Sequence, residues 1–221
     1  MPKQKIENFM LDTVVSQNKA AWEHRAYEWR VNHQGPPHVL KAETTVFDIS
    51  EPQKKYALEL AKAANVKIGY EVGDFCETDL SAYGEYFDCA YAEGGILHYF
   101  HDLDKFFSVL HRILKPNGIL VLCDFHPFAK ILSANTGENK DTAEADYFDG
   151  GVWRGDVAFK QYFPENERGS FPDVMVRRYT LSEIINAMIQ AGLNIREFNE
   201  HPGWANKKRP GEFTIIAVSG L

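Results

Sequence analysis

Cysteine is scarce in this chain of 221 residues: there are three, Cys76, Cys89 and Cys123, with no C-x-x-C spacing. An odd count without that spacing excludes a fully paired disulfide framework. Cys89 and Cys123 lie inside apolar runs and read as buried small hydrophobes, which fits a reducing cytoplasm. No apolar run approaches the ~18 residues of a membrane-spanning helix. The N-terminal MPKQKIENFM lacks the apolar centre of a secretory signal. The reading is therefore a soluble cytoplasmic protein with no membrane partner. Long runs of one charge are missing too. Lys+Arg 24 against Asp+Glu 31 gives a net charge of −7, which disfavours nucleic acid as the main partner, because phosphate binding needs a concentrated basic face. The longest cationic cluster, Lys207-Lys208-Arg209, sits beside a proline and reads as a solvated loop. What is present is an ordinary globular composition, 44% apolar and 13% aromatic, sufficient for one domain with a core or one with a small appendage.

From Thr44 onward, short apolar strands alternate with helical patterns, the signature of a parallel sheet covered by helices. Thr44–Ile49 (TTVFDI) reads as a strand. Ser50 and Pro52 suit the cap and first turn of a helix with Tyr56, Leu60 and Ala63/Ala64 inward, ended by Asn65. Lys67–Val72 and Tyr86–Ala92 read as further strands, the second ending in Glu93-Gly94-Gly95. Leu103, Phe106, Phe107, Leu110, Ile113 and Leu114 recur at helical spacing until Lys115-Pro116-Asn117-Gly118 stops them. Ile119–Cys123 is continuously apolar, as expected of a strand buried on both faces. Thr180 and Glu183 have capping-box spacing for a helix through Ala191, closed by Gly192. Asn194–Asn199 and Glu212–Val218 then suit an antiparallel pair at the sheet edge. Ser16–Val31 reads as a separate helix with Trp22, Ala26 and Trp29 on one stripe. Residues 133–178 form a long insert rich in aromatics, a candidate lid with structure of its own.

Ligands of such a sheet bind beyond the C-terminal ends of its strands. Asp48, Asp74-Phe75, Glu93-Gly94-Gly95 and Asp124-Phe125-His126 lie there. A carboxylate ending a strand can accept both hydroxyls of a ribose; the plainer reading of Asp48 is a cap for the helix at Glu51. Asp74 can accept from an exocyclic amine while Phe75 walls a purine ring.

The run FDCAYAEGGILHYFHDLDKFFSVLHRILKPNG (residues 87–118), together with TTVFDIS, VGDF and the C-terminal strand pair, resembles the class I S-adenosylmethionine-dependent methyltransferases. The likeness covers 44–124 well and 180–218 in outline. It implies a doubly wound, mostly parallel α/β sheet of Rossmann-like form with an antiparallel C-terminal pair, and S-adenosylmethionine as cofactor. It implies that Asp48 and Ile49 hold the ribose end, that Asp74 and Phe75 hold the adenine, and that Glu93 and Gly94 line the methionine side. Residues 96–99 and 124–127 would face the acceptor, with Tyr99 and Tyr27 in contact with it. The implied reaction is in-line methyl transfer from a sulfonium to a nucleophile, aided by alignment and exclusion of water.

The departure from the family lies upstream. The family opens with a strand, a Gly-rich loop and a helix, about 20 residues before the acid. No glycine occurs from Met1 to Gln34, and only His38–Glu43 separate Pro37 from Thr44. These six residues cannot hold that unit, so it is expected to be missing, by deletion or because the chain does without it. The division expected is 1–43 as helical cap and truncated junction, and 44–221 as the methyltransferase-like domain.

His98 and His126 are candidate general bases for a hydroxyl or acidic-carbon acceptor, with structural packing as the alternative for each. His98 and His101 have a spacing that can bind metal on a helix, but no second cluster completes a site and none is expected. The aromatics of the insert (Tyr147, Phe148, Trp153, Phe159, Tyr162, Phe163) favour a small organic acceptor, or simply pack the insert. The functional reading is a methyltransferase for a small molecule, inactive in this chain if the missing unit is essential. The alternatives are a non-catalytic relative that binds a partner or nucleotide-like ligand, and a nicotinamide-dependent oxidoreductase. Oligomeric state is not legible.

Overall fold

The computed structural model describes residues 5–6, 11–25, 44–129, 146–204 and 206–220. Helix α1 is Leu11–Glu23, beginning and ending earlier than the Ser16–Val31 expected. Tyr27, Trp29 and the junction at 37–43, where a cofactor-binding unit is expected to be missing, lie outside the described residues.

Two compact units are present. One holds α1, strand β2 (Thr44–Asp48), helix α2 (Glu51–Ala63), strand β3 (Ile68–Val72) and residues 155–175. Strands β2 and β3 pair in parallel, from Thr44↔Ile68 to Asp48↔Val72. Ser50 occupies the N-cap position of α2, but its fully buried side chain makes no capping bond. Asp48 Oδ1 instead accepts from the Ser50 N–H at 2.7 Å. The inward residues of α2 are Gln53, Tyr56 and Ala61; Ala63 is exposed, one helical step from the stripe expected. Asn65 ends the helix in the left-handed region at φ 54, where Asn is tolerated better than most residues. Asn18 ties α1 to Met175, accepting its N–H at 2.6 Å and donating to its carbonyl at 2.9 Å. Phe159, Phe163 and Phe171 pack together, and Trp22 stands edge-on to Phe159.

The other unit is built on a four-stranded sheet. Its strands are β4 (Phe87–Glu93), β5 (Leu114–Phe125), β8 (Leu193–Pro202) and β9 (Pro210–Ser219), in the order β4-β5-β9-β8. β4 and β5 are parallel; β9 is antiparallel to both β5 and β8. Helix α3 (Leu103–Ile113) buries Leu103, Phe106, Phe107, Leu110 and Ile113, the stripe its sequence shows. Asp102 caps it by accepting from the Lys105 N–H. Helix α4 (Leu181–Gln190) opens with the expected capping box between Thr180 and Glu183. Gly192, at φ +86, follows its C-terminus. Within the insert, β6 (Val152–Asp156) and β7 (Asp173–Arg177) join β1 (Lys5–Ile6) in a sheet of order β1-β6-β7.

The alternation of burial along this sheet corrects two expectations. Leu120, Leu122, Phe213, Ile215 and Ala217 are buried on one face. On the other, Tyr91 and Ile119 are 64% and 42% exposed, Cys89 is exposed and Cys123 is half-buried. Strand β5 is therefore covered on one face, and Cys89 and Cys123 are not core residues. A continuous apolar run reports hydrophobicity on both faces, but burial also needs an element lying over each.

Candidate functional site

The candidate residues fall into two groups, one in each unit. In the first, Asp48 is the last residue of β2 and Asp74 follows the end of its parallel neighbour β3, the two joined where Gly73 N–H donates to the Asp48 carbonyl at 3.0 Å. The turn after β3 is tightly specified. Asp74 Oδ1 accepts from the Cys76 N–H at 2.8 Å, and its carbonyl accepts from the Thr78 N–H at 2.8 Å and hydroxyl at 2.7 Å. A Cβ on Gly73 would lie 2.4 Å from Thr78 Oγ1, so glycine keeps this turn closed. Phe75 meets Phe47 edge-on at 5.5 Å. Ile49 is half-buried beside Asp48. This end of the two strands thus offers two carboxylates as hydrogen-bond acceptors and an aromatic pair as an apolar wall. Phe47 was missed by sequence reasoning, because its position in an apolar strand looks like any other core residue.

In the second group, β4 ends at Glu93, followed by Gly94 (φ +82) and Gly95 (φ +81). Left-handed backbone at consecutive positions explains both glycines. A Cβ on Gly95 would meet the Phe125 ring at 2.4 Å and His98 Cε1 at 3.0 Å, whereas beside Gly94 there is nothing within 4 Å. Gly95 thus closes the packing and Gly94 leaves open space. Tyr91 donates its hydroxyl to Glu93 Oε2, two residues along the same strand face. The carboxylate, as acceptor and as negative charge, pushes the Tyr91 pKa up to about 12 and keeps it a donor. Period-2 alternation was the available signal for this pair.

His98 and Tyr99 lie in a short 3-10 turn, Leu97–Tyr99, with ring centroids 4.1 Å apart. The turn is held from three directions. Buried Asp124 accepts from the Leu97 N–H at 2.9 Å; Tyr179 donates to the Phe100 carbonyl at 2.6 Å; Arg177 donates to the His101 carbonyl at 2.8 Å. The end of the insert is thereby bonded to the turn carrying His98. Burial raises the Tyr179 pKa, so its hydroxyl stays protonated for that bond. His126, 4% exposed, accepts the Phe128 N–H on Nδ1 at 3.2 Å and has Nε2 3.0 Å from Glu200 Oε1. Burial lowers its pKa, while the Glu200 carboxylate acts in the opposite sense. Tyr27 lies outside the described residues. Among those described, no three His, Cys, Asp or Glu side chains are gathered as metal ligands, and no helix is long and apolar enough to cross a membrane.

Residues 33–122 match the family model described as a methyltransferase domain. No curated protein matches the chain in sequence. Among solved structures, an S-adenosylmethionine-dependent methyltransferase from Mesorhizobium loti is similar at 24% identity and TM-score 0.55, with 86% of this chain and 84% of that one covered. A protein of Listeria monocytogenes assigned to the same group is similar at TM-score 0.60 and 16% identity, covering 81% and 80%. Another, from Clostridium acetobutylicum ATCC 824, is similar at TM-score 0.56 and 16% identity, covering 81% and 76%. The family model thus covers less than half of the chain, and the solved structures show that its fold is similar to that of S-adenosylmethionine-dependent methyltransferases.

Proposed function

We propose that the chain binds S-adenosylmethionine and transfers its methyl group to a small organic acceptor. The observation that carries this reading is the pair of carboxylates at adjacent parallel strand ends, Asp48 closing β2 and Asp74 following β3, with Phe75 next to it. Asp48 and Ile49 hold the ribose end, while Asp74 and Phe75 hold the base. In the other unit, the Glu93 carboxylate and the open space beside Gly94 suit an ammonium group. When bound, the cofactor supplies a methyl already activated by its sulfonium, so the protein's task is alignment and exclusion of water. His98 and Tyr99 meet the acceptor, His98 taking a proton where the nucleophile is a hydroxyl or acidic carbon. His126 has both ring nitrogens facing neighbours and supports the end of β5 instead.

Calorimetric titration with S-adenosylhomocysteine tests the reading. Saturable binding to the chain, weakened at least tenfold in Asp48→Ala, is expected, followed by transfer of labelled methyl into a small-molecule fraction. No heat at millimolar ligand sinks the enzyme reading. Binding without turnover over a broad acceptor panel instead favours a non-catalytic binding protein. The glycine-free segment from Met1 to Gln34 favours that second reading.

A further inference from the structure

The β8–β9 hairpin ends in a tip that the methyltransferase reading does not use. Trp204 there is 88% exposed, more than any other large apolar side chain among the described residues. Lys207 and Lys208 are exposed beside it, Arg209 follows, and no acidic residue occurs from His201 through Gly211. Hydrogen bonds tie the described residues of the tip together. Gly203 N–H donates to the Arg209 carbonyl at 2.8 Å, Arg209 N–H to the Asn206 carbonyl at 3.2 Å, and Lys208 N–H to Asn206 Oδ1 at 3.0 Å. A Cβ on Gly211 would lie 2.5 Å from Gly203 Cα, so the two arms close tightly behind the tip. Its base is anchored in the core by Phe213 and Ile215, both fully buried.

We propose that this tip docks the protein on the surface of an anionic lipid bilayer. Indole is favoured at the boundary between headgroups and acyl chains, and neighbouring cations gain from the negative surface potential. Exposing Trp204 to water costs solvation that the boundary returns, and a pre-ordered tip loses little conformational freedom on docking. The chain as a whole carries −7, so an anionic surface repels it except where cations lead. A nucleic acid fits less well, because following a phosphate backbone takes a basic stripe, and this cluster is confined to one turn. The sequence taken alone reads the cations as a solvated loop with no membrane partner; the exposed indole set among them changes that reading.

Co-sedimentation of the full chain with vesicles decides it, comparing phosphatidylcholine alone with phosphatidylcholine containing phosphatidylserine. The expected result is binding at low salt to the anionic vesicles only. It should weaken roughly fivefold for each of Lys207→Gln and Lys208→Gln, be reduced in Trp204→Ala, and be lost at high salt. Circular dichroism melting of each variant should match the parent, since the substituted side chains are exposed. Three results overturn the proposal: no binding to anionic vesicles, binding unaltered by the tip substitutions, or tip-dependent binding to a single-stranded oligonucleotide with none to vesicles.

Discussion

His126 Nδ1 accepts a backbone N–H, which occupies the lone pair that proton abstraction would need. Burial disfavours the charged ring and outweighs the nearby Glu200 carboxylate, so the folded pKa lies below 6.5. The stability this contributes is complete above 6.5 and is lost as pH falls from there toward the folded value. The parent should therefore lose more urea resistance between about pH 7.5 and about pH 5.5 than His126→Gln does. Asp124 acts through geometry: its carboxylate takes the N–H of Leu97, 27 residues earlier in the chain. Asp124→Ala leaves a buried donor unsatisfied and should cost about 1–3 kcal/mol in urea unfolding. Hydrogen exchange at Leu97 should accelerate in the same variant, since that amide loses its acceptor.

The helices show how local rules become packing. In α3, apolar residues at helical spacing face inward and Phe107 is fully exposed to none of the solvent. Phe107→Ala should cost about 3–5 kcal/mol, from lost transfer energy and the cavity left behind. In α4, Thr180 and Glu183 each satisfy the other's backbone N–H. Thr180→Ala should cost about 1 kcal/mol, read as a lowered urea midpoint at unchanged slope. The contrast with α2 is instructive. Ser50 has the residue type and position of a cap, yet Asp48 takes up its N–H and its hydroxyl turns into the interior without a capping bond. Cap residue type is legible in sequence, but whether the hydroxyl makes the capping bond depends on where the fold turns it.

Across the molecule, the described partners of β2 and β4 are β3 and β5, one each. Among the described residues, Cys89, Tyr91 and Ile119 are exposed on one face of the sheet containing β4. Ile119→Thr should therefore change stability by no more than about 0.5 kcal/mol, although it removes an apolar residue from a strand. Binding of a hydrophobic dye should fall in the same variant, because the open face loses apolar area. A large loss of stability on that substitution would show instead that the face is covered.

The order of strands and helices from Thr44 to Phe125 and after Thr180, the inward stripe of α3, the capping box of α4 and the antiparallel final hairpin were all determined by the sequence itself. Each depends on residues a few positions apart, so hydrophobic period and hydrogen-bonding type suffice to specify it. That Asp48 closes β2 and that Asp74 and Phe75 follow β3 was legible for the same reason, because local pattern sets where those strands end. Only tertiary structure decided which face of β5 is covered, that Asp124 reaches Leu97, and that Phe128 and Glu200 face the two nitrogens of His126. It also decided that Trp204 stands in solvent rather than in the core. These depend on what lies opposite a side chain in space, and partners far apart in the chain leave no periodic trace in its sequence.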